Sequence, residues 1–265
     1  DSEEIFMNVA RIYDHFDRII PRSLSSHWDN DGLMCCPDPS REVSRVLCTL
    51  DISERAVEYA ISGGFDLVIS HHPLIFSPVR EINPSDKTAR KLLKLIQSGI
   101  SVISFHTRLD AVQGGVNDIL AQRLSVSAAA PFGPDGEMIG RIGSITKEMP
   151  AKAFASLVKK ALSAPAVLLA DGGVIVKRVA LLGGDGKDFV YAAAGAGADT
   201  FVTGRASYNM MVEAHELKMN IIEAGHFYTE DIICDYFAKK LAEIDGKIYT
   251  EHYSHCEIEH IMNLQ

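Results

Sequence analysis

The chain has 265 residues, of which 47% are hydrophobic and 23% charged, and this suits a globular protein of one large domain or two modest ones. Its formal net charge of −9 argues against a nucleic-acid surface, because such surfaces need clustered cations. No apolar run reaches the roughly 18–20 residues that cross a bilayer, and the acidic, amphipathic start does not resemble a signal peptide. The five cysteines, without C-x-x-C spacing, fit neither a disulfide framework nor a thiolate zinc site. We therefore expect a cytoplasmic protein that contacts neither nucleic acid nor membrane.

Helices and buried strands alternate along the sequence. The first half predicts helices over 4–20, 54–62 and 87–98 and strands over 45–50, 66–70 and 100–105. The second half predicts strands over 178–182, 200–203 and 220–224 and helices over 187–196, 206–217 and 229–243. This alternation is typical of an α/β fold with mostly parallel sheets covered on both faces.

The two halves repeat one pattern. Arg45 matches Arg178 and Asp66 matches Asp199, both at an offset of 133 residues, although a chance match of one strand–helix–strand unit to another is the alternative. We predict two similar α/β halves, 1–126 and 127–265, with a dinuclear metal site between them.

Potential metal ligands follow the predicted strands. His106 and Asp110 form an H-x-x-x-D motif after one strand, and His226 and Glu230 form an H-x-x-x-E motif after its counterpart. Ligand sites of parallel α/β sheets lie outside the carboxyl ends of the strands. One histidine at such a place is usually only a polar loop residue, but the repeated combination indicates a metal site.

A histidine pair, His71 and His72, ends a third strand. Pro73 favours an extended His72, which predicts that the two rings point to opposite sides of the backbone and serve different metals. Imidazole with carboxylate suits zinc, iron, manganese, nickel or cobalt. Two such ions can share a carboxylate, for which Asp110 and Glu230 are the candidates, and a metal-bound water would be the nucleophile.

Two residues near this site have open or auxiliary roles. His106 is expected either to bind a metal or to orient a group that does. Arg108, two residues before Asp110, is the candidate contact for a substrate anion such as a phosphate.

Three other motifs have less specific interpretations. The glycine-rich segment 183–188 lacks the Walker and dinucleotide spacings, so a tight turn is predicted, with a substrate-contacting loop as the alternative. His252 and His255 are expected to be a solvated or edge-strand pair. Cys35 and Cys36 are expected to be buried or loop thiols.

Five segments in order resemble the Nif-three-like dinuclear metal-centre family, whose members are often described as GTP cyclohydrolase I type 2 homologues. They are Trp28–Leu33, Ser70–Phe76, His106–Asp110, Gly114–Asp118 and Ala224–Glu230. The resemblance implies metal ligands, with His106 as a further histidine at the site. The implied ligands are His71, His72, Asp110, His226 and Glu230. It also implies two bound divalent ions and a homohexameric ring.

The chain departs from the family pattern in three places. Met34–Pro37 replace a short glycine-containing turn, and Arg205 stands where many members carry an acid. The chain also has no room for the extra domain that some members insert between the halves. The implied function is hydrolysis of a nucleotide-like or other anionic small molecule, and the alternative is a non-catalytic metal store, delivery factor or scaffold. The surface composition does not support a third possibility, a protein-interaction module.

Overall fold

Two β-sheets organise residues 6–260, the part of the chain that the computed structural model describes. Each sheet belongs to its own compact unit. The first unit comprises Asp1–Leu109 and Ile233–Ser254, and the second comprises Asp110–Ile232 and His255–Gln265. The units therefore change after Leu109 rather than after residue 126, and the chain later returns to the first unit. The return occurs because a strand near its end joins the first sheet.

The helices and strands of the described residues, in chain order, are as follows. The first unit and the start of the second contain α1 (Val9–Ile19), β1 (Gly32–Cys35), β2 (Arg45–Thr49), α2 (Glu54–Ser62), β3 (Leu67–Ser70), α3 (Lys87–Gln97), β4 (Ser101–Ser104), α4 (Thr107–Ala111) and α5 (Val116–Arg123). The remainder contains β5 (Val126–Phe132), β6 (Gly140–Met149), α6 (Ala151–Ala161), β7 (Leu168–Ala170), β8 (Val176–Asp185), α7 (Val190–Gly195), β9 (Thr200–Arg205), α8 (Tyr208–Val212), β10 (Asn220–Glu223), α9 (His226–Glu230), α10 (Cys234–Ile244) and β11 (Tyr249–Tyr253).

Local sequence explains where the helices of the first unit begin and end. The side chain of Ser53 accepts a hydrogen bond from the amide of Ala56 and caps α2, as predicted. Gly64, with φ of +62°, follows its end in the left-handed conformation. Asp86 caps α3 in the same way. Both helices place their apolar stripe on the sheet, whose buried strand residues they cover.

The first sheet has the strand order β1-β4-β3-β2-β11. The strands β4, β3, β2 and β11 are parallel to one another, and β1 is antiparallel to β4. This sheet is mostly parallel, as predicted. Its edge strand β11 contains His252, which agrees with the edge-strand interpretation of that residue.

The second sheet is mixed rather than mostly parallel. Its order is β5-β6-β8-β9-β10-β7, and only β8, β9 and β10 are parallel neighbours. The hairpin of β5 and β6 and the short strand β7 add the three antiparallel pairings. The hairpin was not predicted because β5 is largely exposed and irregular, with Ala128 at a φ of +53°.

The offset of 133 residues corresponds to one bonding pattern in both units. The Asp66 carboxylate accepts hydrogen bonds from the amides of Ser44 and Arg45. The Asp199 carboxylate accepts them from the amides of Lys177 and Arg178. Each aspartate directly precedes one parallel strand, and its carboxylate binds amides near the start of the neighbouring strand. The two-half arrangement is therefore visible in the hydrogen bonds as well as in the order of elements.

The helices of the described residues are short or amphipathic. None of those between residues 6 and 260 combines the length and the apolar character that crossing a membrane requires.

Candidate metal centre

His71 and His72 leave the regular pleat where β3 ends. Their successive amides donate to the successive carbonyls of Thr49 and Leu50, whereas the amides of a regular strand alternate in direction. The hydroxyl of Ser70 also donates to the carbonyl of His72, at 2.7 Å. The two rings consequently lie on the same side, with centroids 5.2 Å apart. The prediction that they point to opposite sides is wrong because it assumed extended backbone.

Acceptors hold both of these imidazoles through Nδ1. The Nδ1 atom of His71 lies 2.8 Å from the carbonyl oxygen of Phe105, and that of His72 lies 2.7 Å from the Asp51 carboxylate. A carbonyl or carboxylate can only accept, so Nδ1 carries the proton and Nε2 of the neutral ring carries the lone pair. This is the usual arrangement of metal-binding histidines.

His106 is held in the same way by a buried carboxylate. Its Nδ1 lies 2.8 Å from Asp29, whose side chain is fully buried. The backbone and hydroxyl of Thr107 also donate to Asp29. Burial alone would raise the pKa of Asp29, but the bonds from His106 and Thr107 outweigh it and lower the pKa to about 2. Asp29 is therefore a carboxylate at neutral pH and fixes the ring of His106.

The three histidines of the first unit form one cluster. Their ring centroids are 5.2–5.8 Å apart. One ring nitrogen from each of His71, His72 and His106 lies within 4.8 Å of the others. Since every Nδ1 serves an acceptor of the protein, the Nε2 atoms are the donors that this cluster can offer to a metal.

The second unit carries a carboxylate pair. Carboxylate oxygens of Asp110 and Glu230 lie within 4.8 Å of each other, and both residues are buried. The Nε2 atom of His226 lies 2.8 Å from Glu230. Two buried carboxylates at this separation destabilise each other unless a proton or cation neutralises them. The donor set thus fits a divalent cation.

Glycines on the neighbouring strands make room for α9. A Cβ atom on Gly184, where φ is +70°, would lie 2.2 Å from Oε1 of Glu230. One on Gly204 would lie 2.6 Å from Oγ1 of Thr229. The segment 183–188, predicted as a tight turn, is the end of β8 followed by a short 3₁₀ turn. Its glycines let the strand approach the helix that bears His226 and Glu230.

The two H-x-x-x-acid motifs are not strictly equivalent. Ser104 and Glu223 occupy corresponding ladder positions in the two units. His106 stands two residues after Ser104, whereas His226 stands three residues after Glu223. The extra residue is Gly225, with φ of +88°. The repeat therefore extends through the strands but shifts by one residue at the motifs.

Arg108 is a structural residue of the first unit. Its fully buried guanidinium lies 2.6 Å from Asp17 and 3.1 Å from Asp31, and it stacks 4.6 Å above the ring of Phe105. The expected contact with a substrate anion is not supported, because both carboxylates already compensate the charge and solvent does not reach it.

A family model described as Duf34/NIF3 (NGG1p interacting factor 3) matches residues 7–260. The chain belongs to the DUF34/NIF3 family. A "GTP cyclohydrolase 1 type 2 homolog" from Clostridium perfringens is 32% identical over 229 residues, which cover 84% of this chain and 87% of the relative. A second protein of that name, from Nostoc, is 31% identical over 214 residues, covering 79% and 81%.

Solved structures of other proteins share the fold. A Bacillus cereus protein related to NIF3 superposes with a TM-score of 0.87 at 23% identity, covering 98% of this chain and all of the other. The reduced HcgD of Methanocaldococcus jannaschii superposes with a TM-score of 0.82 at 23% identity, covering 96% of this chain and all of the other. The predicted family resemblance is confirmed, and these two structures support the fold.

Several residues of the site were missed from the sequence. Asp29 and Asp51, which hold His106 and His72, were not singled out. Asp29 lies in the segment Trp28–Leu33 that carried the family resemblance, so the signal was present without an assigned role. Asp51 directly follows Thr49 and Leu50, whose carbonyls accept from the amides of the two histidines, and only its position shortly after β2 could have suggested it.

The structure shows the surroundings of two positions, Cys35 and Arg205, where the sequence departs from the family pattern. Arg205 is exposed and stands 133 residues after His72, so the second unit places a cation where the first places an imidazole. Cys35 is buried. Burial, and to a smaller extent the nearby Cys36, raises the pKa of its thiol to about 11. All five cysteines are free thiols in the structure.

Proposed function

We propose that this DUF34/NIF3 protein binds two divalent transition-metal ions and hydrolyses a nucleotide-like or other anionic small molecule. The observation that carries the proposal is the cluster of three imidazoles, each anchored through Nδ1 by a carbonyl or carboxylate. Such anchoring fixes the tautomer and orients each ring for coordination through its other nitrogen.

The proposed donors are those that the family resemblance implies. They are His71, His72, Asp110, His226 and Glu230, with His106 as a further candidate. Nitrogen and oxygen donors without a thiolate suit zinc, iron, manganese, nickel or cobalt. Two relatives are named as homologues of GTP cyclohydrolase 1 type 2, and this supports a nucleotide-like substrate.

Metal ions and protein would divide the chemistry. When bound, a pair of divalent ions would acidify water and stabilise the negative charge that develops during hydrolysis. The protein's own contribution is orientation: Asp29 and Asp51 hold two imidazole rings, and the close approach of β8 to α9 confines the side chain of Glu230. Two buried carboxylates also favour the bound cations electrostatically.

Metal analysis tests the binding part of the proposal. Protein purified without added metal, then loaded and dialysed, is expected to retain two ions per chain by inductively coupled plasma mass spectrometry. His71→Ala is expected to lower that stoichiometry, whereas the exposed His215→Ala, a matched control, keeps it. A wild-type protein that retains no ion, or a His71→Ala variant that retains both, would contradict the assignment.

Turnover tests the catalytic part. The metal-loaded protein is screened against GTP, other nucleotides, phosphoesters and amides. A non-catalytic metal store, delivery factor or scaffold is the second candidate. The burial of Arg108 favours that candidate because it removes the cation expected to contact substrate. Filled sites without any turnover would select it over hydrolysis.

Assembly and location are proposals of the same kind. The family resemblance supports a homohexamer, which light scattering would detect as six times the chain mass of 29.0 kDa. The five free thiols support a reducing compartment, for which we propose the cytoplasm.

A further inference from the structure

Two exposed aromatic rings flank the histidine cluster of the first unit. Trp28 is 51% exposed and Phe76 is 56% exposed. Their ring centroids are 6.2 Å apart, and each ring lies 6.2 Å from His106. All three contacts are edge-to-face, so the rings form an open corner around the imidazole rather than a closed stack.

The backbone that presents these rings is tied down. The side-chain amide of Asn30 donates to the carbonyl of Ile75 at 2.6 Å, which joins the segment after Trp28 to the residue before Phe76. The amide of Ser26 donates to the hydroxyl of Thr107 at 2.9 Å. Both rings are therefore held on fixed segments on either side of His106, with little conformational entropy left to lose on binding.

Packing alone does not account for this corner. A tryptophan or phenylalanine that only shields a core loses most of its accessible surface, whereas these two keep about half of theirs. Both rings lie beside the imidazole of His106, whose Nε2 is suited to bind a metal. Aromatic side chains in such a position stack against nucleobases irrespective of sequence.

We propose that Trp28 and Phe76 form a stacking site for the planar heteroaromatic ring of a small molecule of the nucleobase class, bound beside the histidine cluster. This inference rests on the proposed function in one respect, that the cluster is where the substrate reacts. It narrows that substrate to molecules that carry a planar heteroaromatic ring and adds two residues that bind the ring. Stacking itself requires no metal.

Tryptophan fluorescence reports ligand binding at Trp28 directly, because Trp28 is the sole tryptophan of the chain. Guanosine 5′-monophosphate is titrated into the full-length protein while tryptophan emission is recorded. We expect saturable quenching, in both metal-loaded and chelator-treated protein. Ribose 5-phosphate, which has the same phosphate and sugar but no ring, is expected to leave the emission unchanged. Absent quenching, or equal quenching by ribose 5-phosphate, would overturn the inference.

Variants of Phe76 test the second ring and leave the reporter intact. Phe76→Leu is expected to raise the dissociation constant at least about fivefold, the lower end of the measured effect of removing one base-stacking ring. Phe76→Tyr restores binding. Phe6→Leu is the matched control, since Phe6 is also 56% exposed but lines a different surface pocket with Val43 and Ile248. Unchanged affinity in folded Phe76→Leu refutes the role of Phe76.

The two proposals fail separately. Saturable quenching in a protein that retains no metal sustains the stacking site and removes the metal-dependent hydrolase. Two retained ions without quenching sustain the metal centre and remove the stacking site.

Discussion

Alanine at Gly184 should disable the proposed metal centre and leave the fold in place. The new Cβ would lie 2.2 Å from Oε1 of Glu230 and 3.3 Å from Cε1 of His226. A separation of 2.2 Å is far inside van der Waals contact, so the Glu230 carboxylate must move. It can move because the contacted atom is the end of a side chain with rotatable bonds, and the backbone of β8 need not shift.

The expected cost in stability is modest. Gly184 has a φ of +70°, and an L-residue in that region costs about 1–2 kcal/mol. For a protein of this size each kcal/mol lowers the melting temperature by about 2–4 °C, so a loss of about 2–8 °C is expected. Displacing an oriented ligand should in addition lower metal affinity at least about tenfold, by analogy with the loss of supporting contacts around metal ligands.

Gly173 supplies the matched control. Its φ is +75°, and a Cβ there meets nothing within 4 Å. Gly173→Ala therefore carries the same backbone strain without any contact to Glu230. Calorimetry should show similar melting temperatures for the two variants, while metal titration separates them. Equal, wild-type metal affinity in both would refute the reasoning that this glycine exists to seat the carboxylate.

Three further outcomes follow from buried groups. Arg108→Met should lower the free energy of unfolding in urea by about 3–5 kcal/mol, because it leaves the buried carboxylate of Asp31 uncompensated. Arg55→Met, at an exposed arginine, is the control. A smaller loss of stability in Arg108→Met than in this control would contradict the prediction. Asp66 is nearly buried. Burial raises its pKa, but hydrogen bonds led by the amides of Ser44 and Arg45 outweigh burial and lower the pKa below 3.8. The ionised carboxylate therefore stabilises the fold fully above pH 3.8, and this stabilisation declines as the pH falls through the lowered pKa. The stability difference between wild type and Asp66→Asn should accordingly shrink on going from pH 7 to pH 3, and a constant difference would show that ionisation is irrelevant. Burial raises the pKa of Cys48 to about 12, so iodoacetamide at pH 8 should leave this thiol unmodified in native protein while labelling it in urea, as peptide mass spectrometry would show.

Periodicity and caps predicted the elements that repeat. The strands that became β2, β3 and β4 are short apolar runs between strong helix boundaries, such as Ser53 and the glycines after α2. Their order along the chain also placed His71 and His106 at the carboxyl ends of adjacent parallel strands. The ligand candidates were accessible to sequence reasoning because the strand ends alone position them.

Contacts between distant residues were not accessible in this way. Asp29 holds His106 across 77 positions, and no local pattern specifies that pairing. Arg108 was predicted to contact a substrate anion, but it pairs instead with Asp31, which lies equally far back in the chain. The ring directions of the two adjacent histidines also failed as a prediction, because hydrogen bonds to Thr49 and Leu50 override the extended geometry.

The pairing of β11 with β2 has a consequence for synthesis of the protein. The two strands are separated by about 200 positions, as in the bond between Thr49 and Tyr253, which spans 204. At about 5–20 residues per second, β2 leaves the ribosome roughly 10–40 s before the strand that covers its edge. The strands of the second sheet are contiguous between residues 126 and 223, so that sheet can be complete first. Until β11 has been synthesised, β2 is an open edge that a chaperone or another nascent chain can engage.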